Sequence, residues 1–248
     1  VTTTVSLSVD DGLARITLDG PATRNALDSD SAGALADACA AVDADPSVGV
    51  AVVTGARGTF CSGAVRGALA DLAQLPTDRA HDELSAVYRA FERVGRLAVP
   101  TIARIEGAAV GAGLNLALAT DLRIASHDAR LISGFAAIGI HPGGGHLHLL
   151  ARAANLQTAA AMGVFARPLT GAEAKAVGLV WEVAPPGELD AAVDSAAAPL
   201  RADPALARAL KSSLRLTTST VDAWAAATEV ERARQLWSLT RAARRATG

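Results

Sequence analysis

Apolar and polar residues alternate over residues 5–9 and again over 13–18, on either side of Asp10-Asp11-Gly12. That pattern predicts a β-hairpin. The period lengthens over 28–45, where Leu35, Cys39 and Val42 fall on one helical face. The run 48–53 is apolar throughout and ends at Thr54-Gly55, as expected of a strand buried on both faces. A glycine-containing loop over 55–67 leads to a helix over about 78–97, which stops ahead of Pro100. Residues 101–105 read as the next strand, 107–113 as a glycine turn entering an apolar helix through 118, and 122–125 as a further strand. This alternation predicts an α/β core with right-handed crossovers. From 144 onward the pattern reads as almost entirely helical, broken at Pro185-Pro186 and Asp203-Pro204. No linker rich in Gly, Ser or Pro divides the chain. It separates into a core over 1–185 and a helical region over 186–248, suited to assembly or to covering a site.

Composition sharpens that picture. Of 248 residues, 50% are apolar but only 3% aromatic, so Ala, Val, Leu and Ile must fill the core. With 19% charged residues, the chain is not of the disordered class. A net charge of −2 offers no broad basic face, which excludes a general nucleic-acid or membrane-surface binder. Cys39 and Cys61 are too few for a disulfide scaffold. The N-terminal stretch alternates Thr, Ser and Val instead of showing a signal peptide, and the most apolar stretch, 108–119, is too short for a membrane span. A cytoplasmic protein is expected.

Three glycine-bearing stretches cover 59–64, 107–113 and 141–146. Each precedes a predicted helix, where backbone N–H groups are free to meet a ligand. Close helix–strand packing explains any one of them equally well. Known glycine motifs do not fit. Gly111-Ala112-Gly113 lacks a glycine at 116, no Gly-Lys-Ser/Thr is present, and there is no Gly-x-Ser-x-Gly elbow. His141, His146 and His148 crowd one segment, suited to proton transfer near neutral pH but without a zinc-like spacing. No metal site is predicted.

Taken in order, five segments resemble the crotonase superfamily of enoyl-CoA hydratases and isomerases. They are Gly20-Pro21-Ala22-Thr23-Arg24-Asn25-Ala26-Leu27; Phe60-Cys61-Ser62-Gly63-Ala64; the stretch from Val99-Pro100 through Gly113; Ala119-Thr120-Asp121-Leu122-Arg123-Ile124-Ala125; and 169–180. The resemblance implies an α/β spiral of β-β-α units with a helical C-terminal region, forming a homotrimer or homohexamer. It implies a place in fatty acid metabolism and an acyl-CoA thioester as partner, with no permanently bound cofactor: coenzyme A arrives as part of the substrate. The thioester carbonyl is expected between the amides of Ala64 and Ala112. Coenzyme A contacts are expected at Ala22, Arg24, Ala26, Ser62, Gly111 and Gly143. Asn115 and Phe135 stand where hydratases of the family carry two catalytic Glu residues. An amide accepts no proton near neutral pH and a phenyl ring exchanges none, so a replacement is needed, with His141 first among the histidines. Cys61 is expected to be a packed thiol, Glu106 to form a strand-end ion pair and Asp121 to be structural. The alternative is an acyl-CoA-binding carrier or sensor without turnover.

Overall fold

The computed structural model describes residues 2–65, 71–72, 74–218 and 221–246. Of the loop expected over 55–67, Arg66 and Gly67 lie outside the described residues. The predicted hairpin forms as β1 (Thr4–Asp10) and β2 (Leu13–Asp19), antiparallel about the turn. Helix α1 (Ser29–Ala44) begins where Asp28 and Ser31 form a capping box: each side chain accepts the other's backbone N–H at 2.9 Å. Strand β3 (Val50–Gly55), helix α2 (Thr77–Gly95), strands β4 (Thr101–Ile105) and β5 (Ala108–Val110), helix α3 (Ala112–Ala119) and strand β6 (Leu122–Ser126) follow.

The main sheet has the order β1-β2-β3-β4-β6-β9, parallel from β2 onward, with β9 at Glu182–Ala184. A smaller sheet pairs β5 with β7 (Arg130–Ile132) and β7 with β8 (Leu169–Thr170). Strands β5, β7, β8 and β9 were not among the predicted elements. Each has only two or three residues, too few to show a period. The expectation of helix from 144 onward is corrected by β8 and β9. Helices α4 (His146–Ala153), α5 (Leu156–Ala159), α6 (Gly171–Ala176), α7 (Leu189–Arg201), α8 (Pro204–Thr218) and α9 (Val221–Ala246) make up most of the rest.

Alternate residues of β3 divide the core. Ala51 and Val53 face the large cluster under α1, α2 and α3, whereas Val50 and Val52 face Leu189, Val193 and Ala197 of α7. The helical region beyond 185 therefore closes one face of the sheet. Its last helix, α9, lies against α2 and α4 on the other side. Among the described residues, no helix is long and apolar enough to cross a membrane.

Candidate active site

A cavity of about 870 Å³ opens between the loop 20–29, the segment 59–65, helix α2, the start of α3 and the segment 132–143. Its wall is mostly apolar, from side chains such as Leu27, Leu84, Val110, Phe135 and Ile140. Volume and polarity are those of a pocket for a small organic ligand.

Asn25 ties the first loop to the second. Its Oδ1 accepts from Gly20 N at 2.8 Å, while Nδ2 donates to the Ala56 and Thr59 carbonyls at 3.0 and 2.7 Å. Leu27 then bridges the second loop: its N–H donates to Gly63 O at 2.7 Å, and its carbonyl accepts from Val65 N at 3.1 Å. A trans peptide points the N–H of Ala64 opposite to the Gly63 carbonyl, away from Leu27. Beyond lies the start of α3. A Cβ on Gly63 would sit 2.7 Å from Val110 O and 3.6 Å from the Ala112 nitrogen, and one on Gly113 would collide with the Cys61 carbonyl. Only glycine lets these two loops approach. Gly111, at φ +54°, is the N-cap of α3 and Ala112 its first residue, so the Ala112 N–H has no acceptor within the helix. Two backbone donors, Ala64 and Ala112, thus meet one cavity wall, with the positive end of α3 behind them.

Asn115 and Phe135 also line the cavity, as does Ser133, which sequence reasoning did not single out. Asn115 Nδ2 donates to Gly143 O at 2.9 Å, and its Oδ1 lies 2.6 Å from Nδ1 of His146. The other ring nitrogen, Nε2, is 2.7 Å from Ser133 Oγ. Phe135 meets the His146 ring edge-on, with centroids 5.0 Å apart. Glu231 of α9 accepts the backbone N–H groups of His146 and Leu147 at 2.7 and 2.9 Å, capping α4. Ser133 escapes a sequence reading because it joins no motif. Nothing in its spacing from Asn115 or His146 marks the three as neighbours.

Arg24, Ala26, Ser62, Gly111 and Gly143 all contribute to the wall, as do Ala64 and Ala112. Arg24 is exposed at the rim, whereas Ala22 is exposed beside the cavity and is not part of its wall. The structure does not bring His141 into the lining. Its Nδ1 faces the Pro142 carbonyl at 2.7 Å, and its backbone N–H donates to Ser238. His146 is the histidine that reaches the cavity, through Ser133. Glu106 pairs with Arg104 at 3.0 Å, and Asp121 accepts from Thr101 N and pairs with Lys211. Burial pushes the Cys61 thiol up to about 12. Among the described residues, no three His, Cys, Asp or Glu side chains are grouped to hold a metal ion.

Burial pushes the His146 ring from 6.5 down to about 3, so it is neutral throughout the physiological range. Between those values the unfolded chain binds a proton that the native ring refuses. Stability therefore falls as pH drops below 6.5, by about 1.4 kcal/mol per unit from this group. Glu231, raised by burial, works in the opposite sense above its ordinary 4.5. Urea unfolding at pH 7 and pH 5 is expected to narrow the gap between the native protein and the His146→Gln variant by about 2 kcal/mol. A constant gap would show that the native ring titrates freely.

The parallel main sheet, the small second sheet and the helical C-terminal region define a crotonase-like α/β protein. Residues 8–243 match the family described as Enoyl-CoA hydratase/isomerase, and the chain belongs to that family. It is similar to the probable enoyl-CoA hydratase EchA14 of Mycobacterium tuberculosis, 40% identical over 218 residues covering 87% of this chain and 82% of that protein. It is 30% identical over 179 residues to the 1,2-epoxyphenylacetyl-CoA isomerase of Escherichia coli, covering 71% of this chain and 67% of that one. The crystal structure of an enoyl-CoA hydratase/isomerase from Xanthobacter autotrophicus Py2 superposes with a TM-score of 0.88 at 27% identity, covering 99% of this chain and 94% of that one.

Proposed function

We propose that the cavity binds an acyl-CoA thioester, with the carbonyl oxygen between the amides of Ala64 and Ala112, and stabilises the enolate form of that thioester. What supports this reading is that Ala64 and Ala112, the first at the loop bonded to Leu27 and the second at the start of α3, both line one mostly apolar cavity. Donors held by the chain need little reorganisation as negative charge develops on the oxygen. Names of relatives that act on CoA esters support the substrate class. The exposed Arg24 guanidinium at the rim suits a coenzyme A phosphate, with Ala26 and Ser62 in the same wall. Acid–base chemistry is atypical, because Asn115 and Phe135 occupy the places of the usual Glu pair.

A thermal-shift panel of acyl-CoAs, coenzyme A and free fatty acids tests the binding. At a hundredfold excess over Kd, a true ligand adds about 2.7 kcal/mol of stability. Stabilisation by acyl-CoAs above coenzyme A alone is expected, and no stabilisation by any CoA ester would overturn the reading. One observation favours the second reading, a carrier or sensor without turnover: both ends of the Asn115 amide are committed to hydrogen bonds, and neither exchanges a proton. Turnover assays on whichever ester binds separate the two.

We also infer assembly into a trimer or a pair of trimers. Leu206, Leu210 and Leu214 form an exposed apolar row at four-residue spacing on α8, which supports a covered face there. Light scattering is expected to give about 75 or 150 kDa, three or six chains of 25.0 kDa. A 25 kDa particle at micromolar concentration would contradict it.

A further inference from the structure

The trio Asn115, His146 and Ser133 has a fixed sense of hydrogen bonding. Asn115 spends its amide N–H on the Gly143 carbonyl, so it turns its oxygen to the ring. Nδ1 of His146 must then carry the proton, and Nε2 is left as an acceptor. Ser133 donates its hydroxyl hydrogen to Nε2, which leaves the lone pairs of Oγ for other neighbours. Ser133 is part of the cavity wall, as are Gly111, Ala112 and Ala64. Phe135 against the ring and Glu231 on its backbone hold His146 in place. A hydroxyl on a neutral imidazole that is oriented by a third group, in the same cavity lining as two candidate backbone donors, is the constellation of an activated nucleophile. When an amide nitrogen faces the histidine in such a trio, the ring takes the wrong tautomer and activity collapses. Here the Gly143 carbonyl prevents that.

We propose that Ser133 is a nucleophile toward the thioester, with His146 as its base and Asn115 as the positioning residue, so that the protein cleaves acyl-CoA to free thiol and acid. This rests on the thioester reading of the cavity. Ser133 Oγ forms a bond to the carbonyl carbon while its proton passes to Nε2, and the carbonyl oxygen takes its charge against Ala64 and Ala112. Collapse breaks the carbon–sulfur bond, and the proton on Nε2 goes to the departing sulfur. Water then adds to the serine ester, giving a proton to His146. That proton returns to Oγ as the carboxylic acid leaves. The sum is thioester plus water to acid plus thiol, with no other reactant. Burial of His146 keeps the ring neutral, and so able to accept the serine proton, at neutral pH.

The test uses the intact protein with butyryl-CoA and decanoyl-CoA, which are saturated and offer no double bond to hydrate. Free thiol is followed with a chromogenic disulfide, and acid-quenched samples are examined by intact mass and peptide mapping. The expected result is thiol release, an acyl adduct on the peptide containing Ser133, and a loss of release of roughly 10²–10⁴-fold in Ser133→Ala. The mapping is made on the unaltered chain, so it stands even if that variant folds poorly. Binding of either ester without thiol release, or an adduct on another residue, overturns the proposal alone. Failure of both esters to bind overturns the thioester reading and this proposal together.

Discussion

Hydration of a simple enoyl-CoA by the unmodified protein is expected to run several orders of magnitude slower than in a relative bearing two catalytic Glu residues. General acid–base groups contribute about 10²–10⁴-fold each, so the proposed placement of Asn115 and Phe135 where that pair would stand costs about 10⁴-fold or more. Both side chains are buried and held by neighbours. Asn115 is 1% exposed and holds Gly143 and His146 at its two ends. Phe135 is 8% exposed and rests on the His146 ring. The measurement is the loss of the conjugated enoyl-thioester absorbance under saturating substrate.

Installing carboxylates sharpens that prediction. Asn115→Glu alone is expected to recover little, because a carboxylate there faces the Gly143 carbonyl without a hydrogen to offer and Phe135 still fills the second place. Asn115→Glu with Phe135→Glu puts two acids into a buried wall, at a cost offset only where each finds a donor. His146 Nδ1–H is such a donor for the first. A double variant that folds and hydrates would show that the scaffold is otherwise competent. Rapid hydration by the native protein, unchanged by substitution of His141, His146 and His148, would overturn the assignment of both positions.

Much of this was legible in the chain because its signals are periodic or conformational. The hairpin about Asp10-Asp11-Gly12, helix α1 and strands β3, β4 and β6 appear where alternation, helical spacing and apolar runs put them. The glycine stretches marked the loops now found against each other at Gly63 and Gly113, since a Cβ at either would meet backbone. What failed to show was whatever depends on contacts distant in sequence. Strands β7 and β9 exist because β5 and β6 lie beside them, and three residues carry no pattern of their own. His141 and His146 look alike in sequence. One turns to the neighbouring Pro142 carbonyl and the other is buried behind the wall, a difference made by Asn115, Ser133 and a glutamate 85 residues downstream on α9. Ser133 itself is an ordinary serine until His146 stands beside it.

Removing one of the two backbone donors is expected to weaken the binding of an enolate far more than that of a ground-state thioester. Proline does this with little else changed, since it lacks the N–H. At position 64 the hydrogen bonds to Leu27 use Gly63 O and Val65 N, so Ala64→Pro leaves both in place. The preceding residue, Gly63 at φ +97°, has the freedom to adjust to the ring. At position 112 proline falls on the first residue of α3, where the missing N–H breaks no helical bond and the fixed φ suits the turn. One donor in such a hole is worth about 3–4 kcal/mol toward an oxyanion, or roughly 10²–10³-fold. A β-ketoacyl-CoA, which ionises to an enolate, and a saturated acyl-CoA of equal length make the pair of ligands. Either variant should lose about two orders of magnitude in Kd for the first and only a few-fold for the second. Equal losses for the two ligands would mean that the Ala64 and Ala112 amides shape the cavity without receiving the carbonyl oxygen.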